Sequence, residues 1–246
     1  MYDETARRES FYHAALLYMK DTAALRNIKI GNPKNPSPER HLGALLEKHG
    51  SFENVFTALT GWAGSSYKHP MEMLKGVKRA LDNLDFDFYA INVNDELYPA
   101  ALRDVEGATP VLYCRGNVDM LKCKSIAVVG TRGLDDVLEI NSGRQIVKRL
   151  VDKDYAIISG LAMGCDTLAH ESALEYCGKT IAVLGTSLER YYPKSNKELQ
   201  DRIAAEHLII SQYPIGIKVF PSYFANRNRT VAGLATEGVV VISAGD

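Results

Sequence analysis

Four short stretches of this 246-residue chain set small, hydroxylated or cationic residues directly behind apolar runs. They are Gly130-Thr131-Arg132-Gly133, Ser159-Gly160-Leu161-Ala162-Met163-Gly164, Gly185-Thr186-Ser187 and Ser211-Gln212-Tyr213-Pro214. Glycine lets a backbone come close to a ligand, and the first turn of a helix offers unpaired N–H groups to an anion. Taken singly, each stretch is explained by a tight turn. Several on one sheet edge point to an anion or phosphate site. A dinucleotide does not fit, because its fingerprint needs G-x-G-x-x-G after the first strand and an acid closing the second. Here the first turn is Gly-Thr-Arg-Gly, with a cation where that fold packs backbone, and the second strand closes on Ser159. No G-x-x-x-x-G-K-[ST] occurs, which excludes a P-loop.

The stretch from Tyr213 to Thr236 holds Lys218, Arg227 and Arg229 and no acid, with Tyr213, Phe220, Tyr223 and Phe224 threaded through it. The whole chain has a formal net charge of -1 and so no basic field of its own. A nucleic-acid partner would need its cations gathered locally, and this stretch gathers them. Cations contact the strand's backbone, while aromatic rings stack on bases at about 1–3 kcal/mol each. The competing reading makes the aromatics core and the arginines helix caps. Arg227 and Arg229 are two residues apart, so one helix face cannot carry both, and one of them is open to a structural role.

Catalysis finds less support. Asp166 and His170 stand i, i+4 and could pair as acid and base. The structural reading fits better: Asp166 offsets a helix dipole and His170 ties that helix to a neighbour. Ser187 is not in a G-x-S-x-G elbow, and no H-E-x-x-H or other metal spacing occurs. Cys114, Cys123, Cys165 and Cys177 form no C-x-x-C pair and read as buried thiols of a reducing compartment. The expectation is a protein without enzymatic activity, cofactor or metal.

The elements that must position these residues fall into two domains. Residues 1–85 read as helical. Apolar residues from Phe11 to Met19 have helical spacing, and Pro38 suits the first turn of a helix carrying Leu42, Leu45 and Leu46. Gly50 stops that helix, and Ser51 caps the next, with Val55, Phe56 and Leu59 on one face. Asn32 to Pro38, with three prolines, reads as a loop. Residues 86–246 become extended at Tyr89-Ala-Ile-Asn-Val and Val111-Leu-Tyr-Cys, then alternate strand and helix. The runs Ile126–Val129, Ala156–Ile158, Ile181–Leu184, Leu208–Ile210 and Val239–Ile242 are short and rich in β-branched residues. Such runs with crossover helices predict an α/β fold, a Rossmann-like parallel sheet with helices on both faces. Ligands of such sheets bind at the carboxyl ends of the strands. The N-terminus lacks a signal-peptide pattern, and no run approaches the roughly 20 apolar residues of a membrane span. A cytoplasmic protein is expected.

From about Tyr98 onward the chain resembles the DNA-processing protein A (DprA/Smf) family. The resemblance rests on Tyr98-Pro99-x-x-Leu102, Val111-Leu-Tyr-x-Arg-Gly116-Asn117, Ile126-Ala-Val-Val-Gly-Thr-Arg132, and the run from Ser159 to His170. It continues through Thr180-Ile-Ala-Val-Leu-Gly185, Tyr192-Pro193, and Phe224-Ala-Asn-Arg-Asn-Arg229 to Leu234. Leu45 to Leu59 is similar, less specifically, to the helical sterile-alpha-motif-like domain that often precedes this core. The resemblance implies an extended Rossmann fold without catalysis that binds single-stranded DNA and loads the RecA recombinase, as in natural transformation. It implies DNA contacts from Gly130, Thr131, Arg132, Gly160, Lys218, Phe220, Phe224, Asn226, Arg227 and Arg229. Arg132 and Lys218 would meet phosphates, and Phe220 or Phe224 would stack on a base. Thr131 stands where the family often has serine, and Gln212 where it commonly has glutamate. The chain stops at Ala244-Gly245-Asp246, where the family continues with a part associated with dimerisation and the RecA contact. The rival class is a nucleotide-hydrolysing relative of the phosphoribohydrolases, but their Pro-Gly-Gly-x-Gly-Thr turn and downstream catalytic glutamate are missing here. A protein-interaction module with a degenerate site is the third reading.

Overall fold

The computed structural model describes residues 2–19, 38–62 and 74–243. Of the expected loop from Asn32 to Pro38, residues 32–37 lie outside the described residues, as does the terminal Ala244-Gly245-Asp246, while Pro38 already stands in a helix.

Four helices come first: α1 (Tyr2–Met19), α2 (Pro38–His49), α3 (Phe52–Trp62) and α4 (Lys75–Asp82). The Gly50 N–H bonds back to the Leu46 carbonyl, ending α2, and the Ser51 hydroxyl accepts from the Asn54 N–H, capping α3. Both are the expected devices. Next come β1 (Tyr89–Asn92), the short α5 (Ala100–Arg103) and β2 (Val111–Gly116). The rest alternates: β3 (Ser125–Val129), α6 (Val137–Val151), β4 (Ala156–Ser159), α7 (Cys165–Glu175), β5 (Thr180–Leu184), α8 (Lys197–Glu206), β6 (Leu208–Ser211), α9 (Ser222–Leu234) and β7 (Gly238–Val241).

All seven strands form one sheet in the order β1-β2-β6-β5-β4-β3-β7. The five from β6 to β7 are parallel, whereas β2 runs antiparallel to both β6 and β1. The parallel expectation thus holds for the alternating half, and the two earlier strands extend it as an antiparallel edge. Consecutive residues of a strand face opposite sides. Ile181 and Val183 pack with Ile210, Val231 and Leu234 under α9, while Ala182 and Leu184 pack with Ile209 and Ile203 under α8. On that second side Ile126, Val128 and Ile157 pack against Val147 of α6 and Ala169 and Ala173 of α7. Both faces are therefore covered, which is why these strands read as unbroken apolar runs. The N-terminal helices join the α8 side: Leu16, Leu46 and Phe52 share a buried cluster with Val111, Tyr113 and Leu184.

The cysteine expectation needs correcting. Cys114 and Cys165 are buried, but Cys123 is only partly covered and Cys177 is exposed, in the turn that follows α7.

Candidate nucleic-acid interface

The strand order reverses beside β3, whose neighbours β4 and β7 are reached by helices on opposite faces of the sheet. A crevice opens at the carboxyl end of such a switch point. Here it has a volume of about 220 Å³, between Gly130 after β3, Gly160 and Ala162 after β4, Asp166 at the start of α7, and Arg227 and Asn228 of α9. A neck of about 50 Å³ past Arg132, Met163, Tyr192 and Phe224 leads outward. It meets a larger groove of about 780 Å³. Arg132 borders all three spaces.

Arg227 forms the floor of the inner crevice. It is 3% exposed, and its Nη1 donates to the Val183 carbonyl at 2.6 Å. Burial lowers its pKa, the charge of Asp166 partly restores it, and Arg132 lowers it further. Its guanidinium lies flat against Gly160, where an added Cβ would sit 1.7 Å from Nη1. Gly185 is used in the same way: a Cβ there would come within 2.5 Å of the Phe224 ring. These two glycines make room for the protein's own side chains, and Gly160 also lines the crevice. What the ligand space receives is the arginine that Gly160 lets in.

The outer groove is lined by Arg132, Arg190, Lys194 and Lys197, with Tyr191, Tyr192, Phe220 and Phe224, and among the described residues no carboxylate lines it. Two of its rings are well exposed, Tyr192 at 56% and Phe220 at 41%. Phe224 is packed behind Tyr192, ring centroids 4.8 Å apart. Tyr213 is buried, stacked on Tyr223 at 3.8 Å. Lys218 stands beside the groove with its Nζ 5.6 Å from the Phe220 ring centre. Two carboxylates behind the walls hold them in place. Glu189 Oε1 accepts from the Ser187 hydroxyl and from the Gly216 N–H, tying the loop after β5 to the loop that carries Lys218. Asp201 accepts from the Tyr191 hydroxyl at 2.8 Å and from Lys197 at 2.7 Å. Burial pushes its pKa up, but these two bonds, with the charge of Arg115, hold the carboxyl below its usual range.

The structure brings Gly130, Arg132, Gly160, Phe220, Phe224 and Arg227 to this cleft, with Lys218 at its edge, whereas Thr131 is not among the lining residues. Thr131 mainly builds the turn: its N–H bonds to Ser243, its carbonyl accepts from Cys165, and its hydroxyl accepts from Gly133. Asn226 lies on α9 outside these linings, where Asn228 takes its place. Arg229 points elsewhere and donates to the Gly107 carbonyl at 3.4 Å. The two-residue spacing of Arg227 and Arg229 divides them as the helix geometry requires. The sequence reading missed the wall formed by Arg190, Tyr191, Lys194 and Lys197. Its signal was present, since residues 190–197 combine three cations with two tyrosines and no acid.

Asp166 and His170 do not act as a pair. Asp166 accepts from the Ala162 N–H at 3.3 Å, while His170 Nδ1 meets the Thr180 hydroxyl at 2.7 Å. Burial lowers the pKa of His170 to about 3, with Arg227 and His207 adding to the effect, so it is neutral at ordinary pH. Among the described residues no cluster of three His, Cys, Asp or Glu could hold a metal, and no helix is long and apolar enough to cross a membrane.

Known proteins resemble this chain in sequence and fold. The DNA processing protein DprA of Streptococcus pneumoniae is 41% identical over 160 residues, covering 64% of this chain and 55% of that protein. Protein Smf of Synechocystis is 41% identical over 152 residues, 60% of this chain and 38% of its own length. The chain thus spans about half the length of such relatives, or less. The X-ray structure of the S. pneumoniae DprA superposes with a TM-score of 0.67 at 32% identity, over 94% of this chain and 77% of that one. The Helicobacter pylori DNA processing protein A, whose structure is described for its single-stranded DNA binding mode, superposes with a TM-score of 0.55 at 29% identity, covering 64% and 69%. Residues 89–246 match the family described as DNA recombination-mediator protein A, and with that match spanning more than half of its length the chain belongs to this family.

Proposed function

We propose that this protein binds single-stranded DNA along the groove centred on Arg132. The observation that carries the reading is the continuity of cation and ring. Arg132, Arg190, Lys194 and Lys197 stand around exposed Tyr192 and Phe220 in a space with no carboxylate on its wall among the described residues. Cations tracking a backbone while aromatic rings receive bases is the chemistry of single-strand binding, and it suits a chain whose net charge is only -1. Of the expected residues, Arg132 and Lys218 meet phosphates and Phe220 stacks, while Tyr192 replaces Phe224 as the second platform.

The same proposal makes it a binding protein rather than an enzyme. The Ser187 hydroxyl is engaged by Glu189, and the neutral His170 is held against Thr180, away from the groove. In this reading the domain at 86–246 carries the interface, and the described helices of the domain at 1–85 pack beside it. Work in the cytoplasm, dimerisation and transfer of the strand to RecA belong to this wider reading, which the family membership supports.

The test is fluorescence anisotropy of a labelled mixed-sequence single strand, titrated at several salt concentrations with duplex competitor. Salt-sensitive binding that prefers the single strand is expected. Absence of binding at low salt and high protein concentration would refute the proposal.

A further inference from the structure

The loop between β6 and α9 brings Lys218 and Phe220 to the groove, and its anchor lies in helices at the other end of the chain. Ser10, in the middle of α1, is fully buried, and its hydroxyl accepts from the Ile215 N–H at 2.9 Å. A serine inside a helix ordinarily faces water or bonds to its own preceding turn. This one meets a backbone group 205 residues away. Ile215 is also fully buried, and it shares one apolar cluster with Ala6 and Ala14, a turn to either side of Ser10, and with Val77 of α4. The next residue is held as closely. Gly216 has a φ of +77°, and an added Cβ would stand 2.9 Å from the Val77 Cα and 3.1 Å from the Ala80 Cβ, so its backbone lies directly on α4. Its N–H donates to Glu189 Oε1 at 2.9 Å. Arg7 ties the two helices together, its Nη1 donating to the Leu81 carbonyl at 2.5 Å.

Lys218 and Phe220 follow this anchor directly, in a stretch without regular structure that ends where α9 begins at Ser222. At the far end the Phe220 ring meets Tyr223 edge-on, centroids 5.5 Å apart, and Tyr223 is stacked on Tyr213. A loop left free at its start would have to be ordered as the strand binds, and that ordering weakens binding. A loop already fixed at residues 215 and 216 avoids the loss. Resting on the single-strand reading above, we propose that the helical unit is a positioning element of the interface: Ser10 and α4 hold Ile215 and Gly216 so that Lys218 and Phe220 stand at the groove before the strand arrives. Ser10 is buried away from the groove lining and acts only through the loop.

The experiment is a double-mutant cycle on the whole chain, read by anisotropy of a labelled oligo-dT at fixed salt. Ser10→Ala leaves the Ile215 N–H buried without an acceptor, and Gly216→Ala forces the loop off α4. Each should weaken binding, Ser10→Ala by about fivefold, with urea midpoints showing that the variants are folded. The same Ser10→Ala change made in Lys218→Ala/Phe220→Ala, which lacks the groups to be positioned, should have almost no further effect. Hydrogen exchange in the unaltered protein needs no variant: the Ile215 amide should be as protected as those of α1. A fivefold loss in both backgrounds would overturn the proposal, because a general loss of structure does not depend on Lys218 and Phe220. So would undiminished binding by folded Ser10→Ala and Gly216→Ala, or rapid exchange at Ile215 while α1 stays protected. Undiminished binding by Lys218→Ala/Phe220→Ala would overturn it too, and would leave the rest of the groove in place. Failure of the unaltered protein to bind any strand would overturn both this role and the groove reading.

Discussion

Arg132→Ala is the most direct perturbation of the groove, because this side chain borders all three connected spaces and makes no ion pair with a described residue. Lys194 and Lys218 are likewise without ion pairs among the described residues, whereas Lys197 lies 2.7 Å from Asp201 and Arg190 lies 3.7 Å from Glu189. Each phosphate neutralised on a single strand contributes about -0.7 to the slope of log K against log salt. Three unpaired cations give a slope of about -2, and all five give about -3.5. Arg132→Ala should flatten that slope by about 0.7 and weaken binding to every sequence alike. A lost charge-assisted hydrogen bond of about 1.5–3 kcal/mol corresponds to roughly ten- to a hundredfold in affinity. Arg229→Ala is the matched comparison, since it removes an exposed arginine of the same helix as Arg227 that faces Gly107 instead of the cleft. It should cost less than about twofold and leave the slope unchanged. Anisotropy titrations of both variants at four or so salt concentrations decide the matter. Wild-type affinity and slope in Arg132→Ala would remove this residue from the interface. An equal loss in Arg229→Ala would move the strand to the other side of α9.

Two further outcomes are expected. Phe220→Ala and Tyr192→Ala should each weaken single-strand binding by about 1–3 kcal/mol with little change in salt slope, because stacking releases few counterions; a changed slope would mean that the ring shapes the loop instead of receiving a base. Folding stability should fall on mild acidification, because burial lowers the pKa of both His13 and His170 to about 3. Between the ordinary value near 6.5 and that lowered one, the unfolded chain takes up protons that the fold refuses, so stability present above pH 6.5 is lost as the pH drops. At pH 5 the cost is about 2 kcal/mol per histidine, a large share of a typical total. Glu9, whose pKa burial raises, acts in the opposite sense and blunts the loss at the acid end. Urea midpoints at pH 7.5 and 5 measure this, and coincident midpoints would count against buried, neutral histidines.

What the sequence by itself determined follows from local and periodic physics. The runs at Ile126, Ala156, Ile181 and Leu208 are apolar on both sides because both faces of their strands are covered, and that pattern needs no partner to be seen. Cap and stop signals at Gly50 and Ser51 act within one turn and were equally visible. Arg132 stood out because a cation directly behind the first strand of the parallel set can only lie at the sheet's ligand edge. The tertiary structure decided which groups share a space. Arg227 and Arg229 are alike in type and neighbourhood, and only the packing of α9 on the sheet drives one beneath Gly160 and leaves the other at Gly107. The glycines behind β4 and β5 looked like openings for a ligand, yet a glycine records only that something comes close, and here that is Arg227 and Phe224. Asp166 read as a helix-dipole residue because its place in the helix is local, whereas its exposure to the crevice depends on α7 and α9 meeting across the switch point. The second wall at Arg190, Lys194 and Lys197 joined the site for the same reason: distance in space between segments far apart in sequence is set by strand order, which no local pattern encodes.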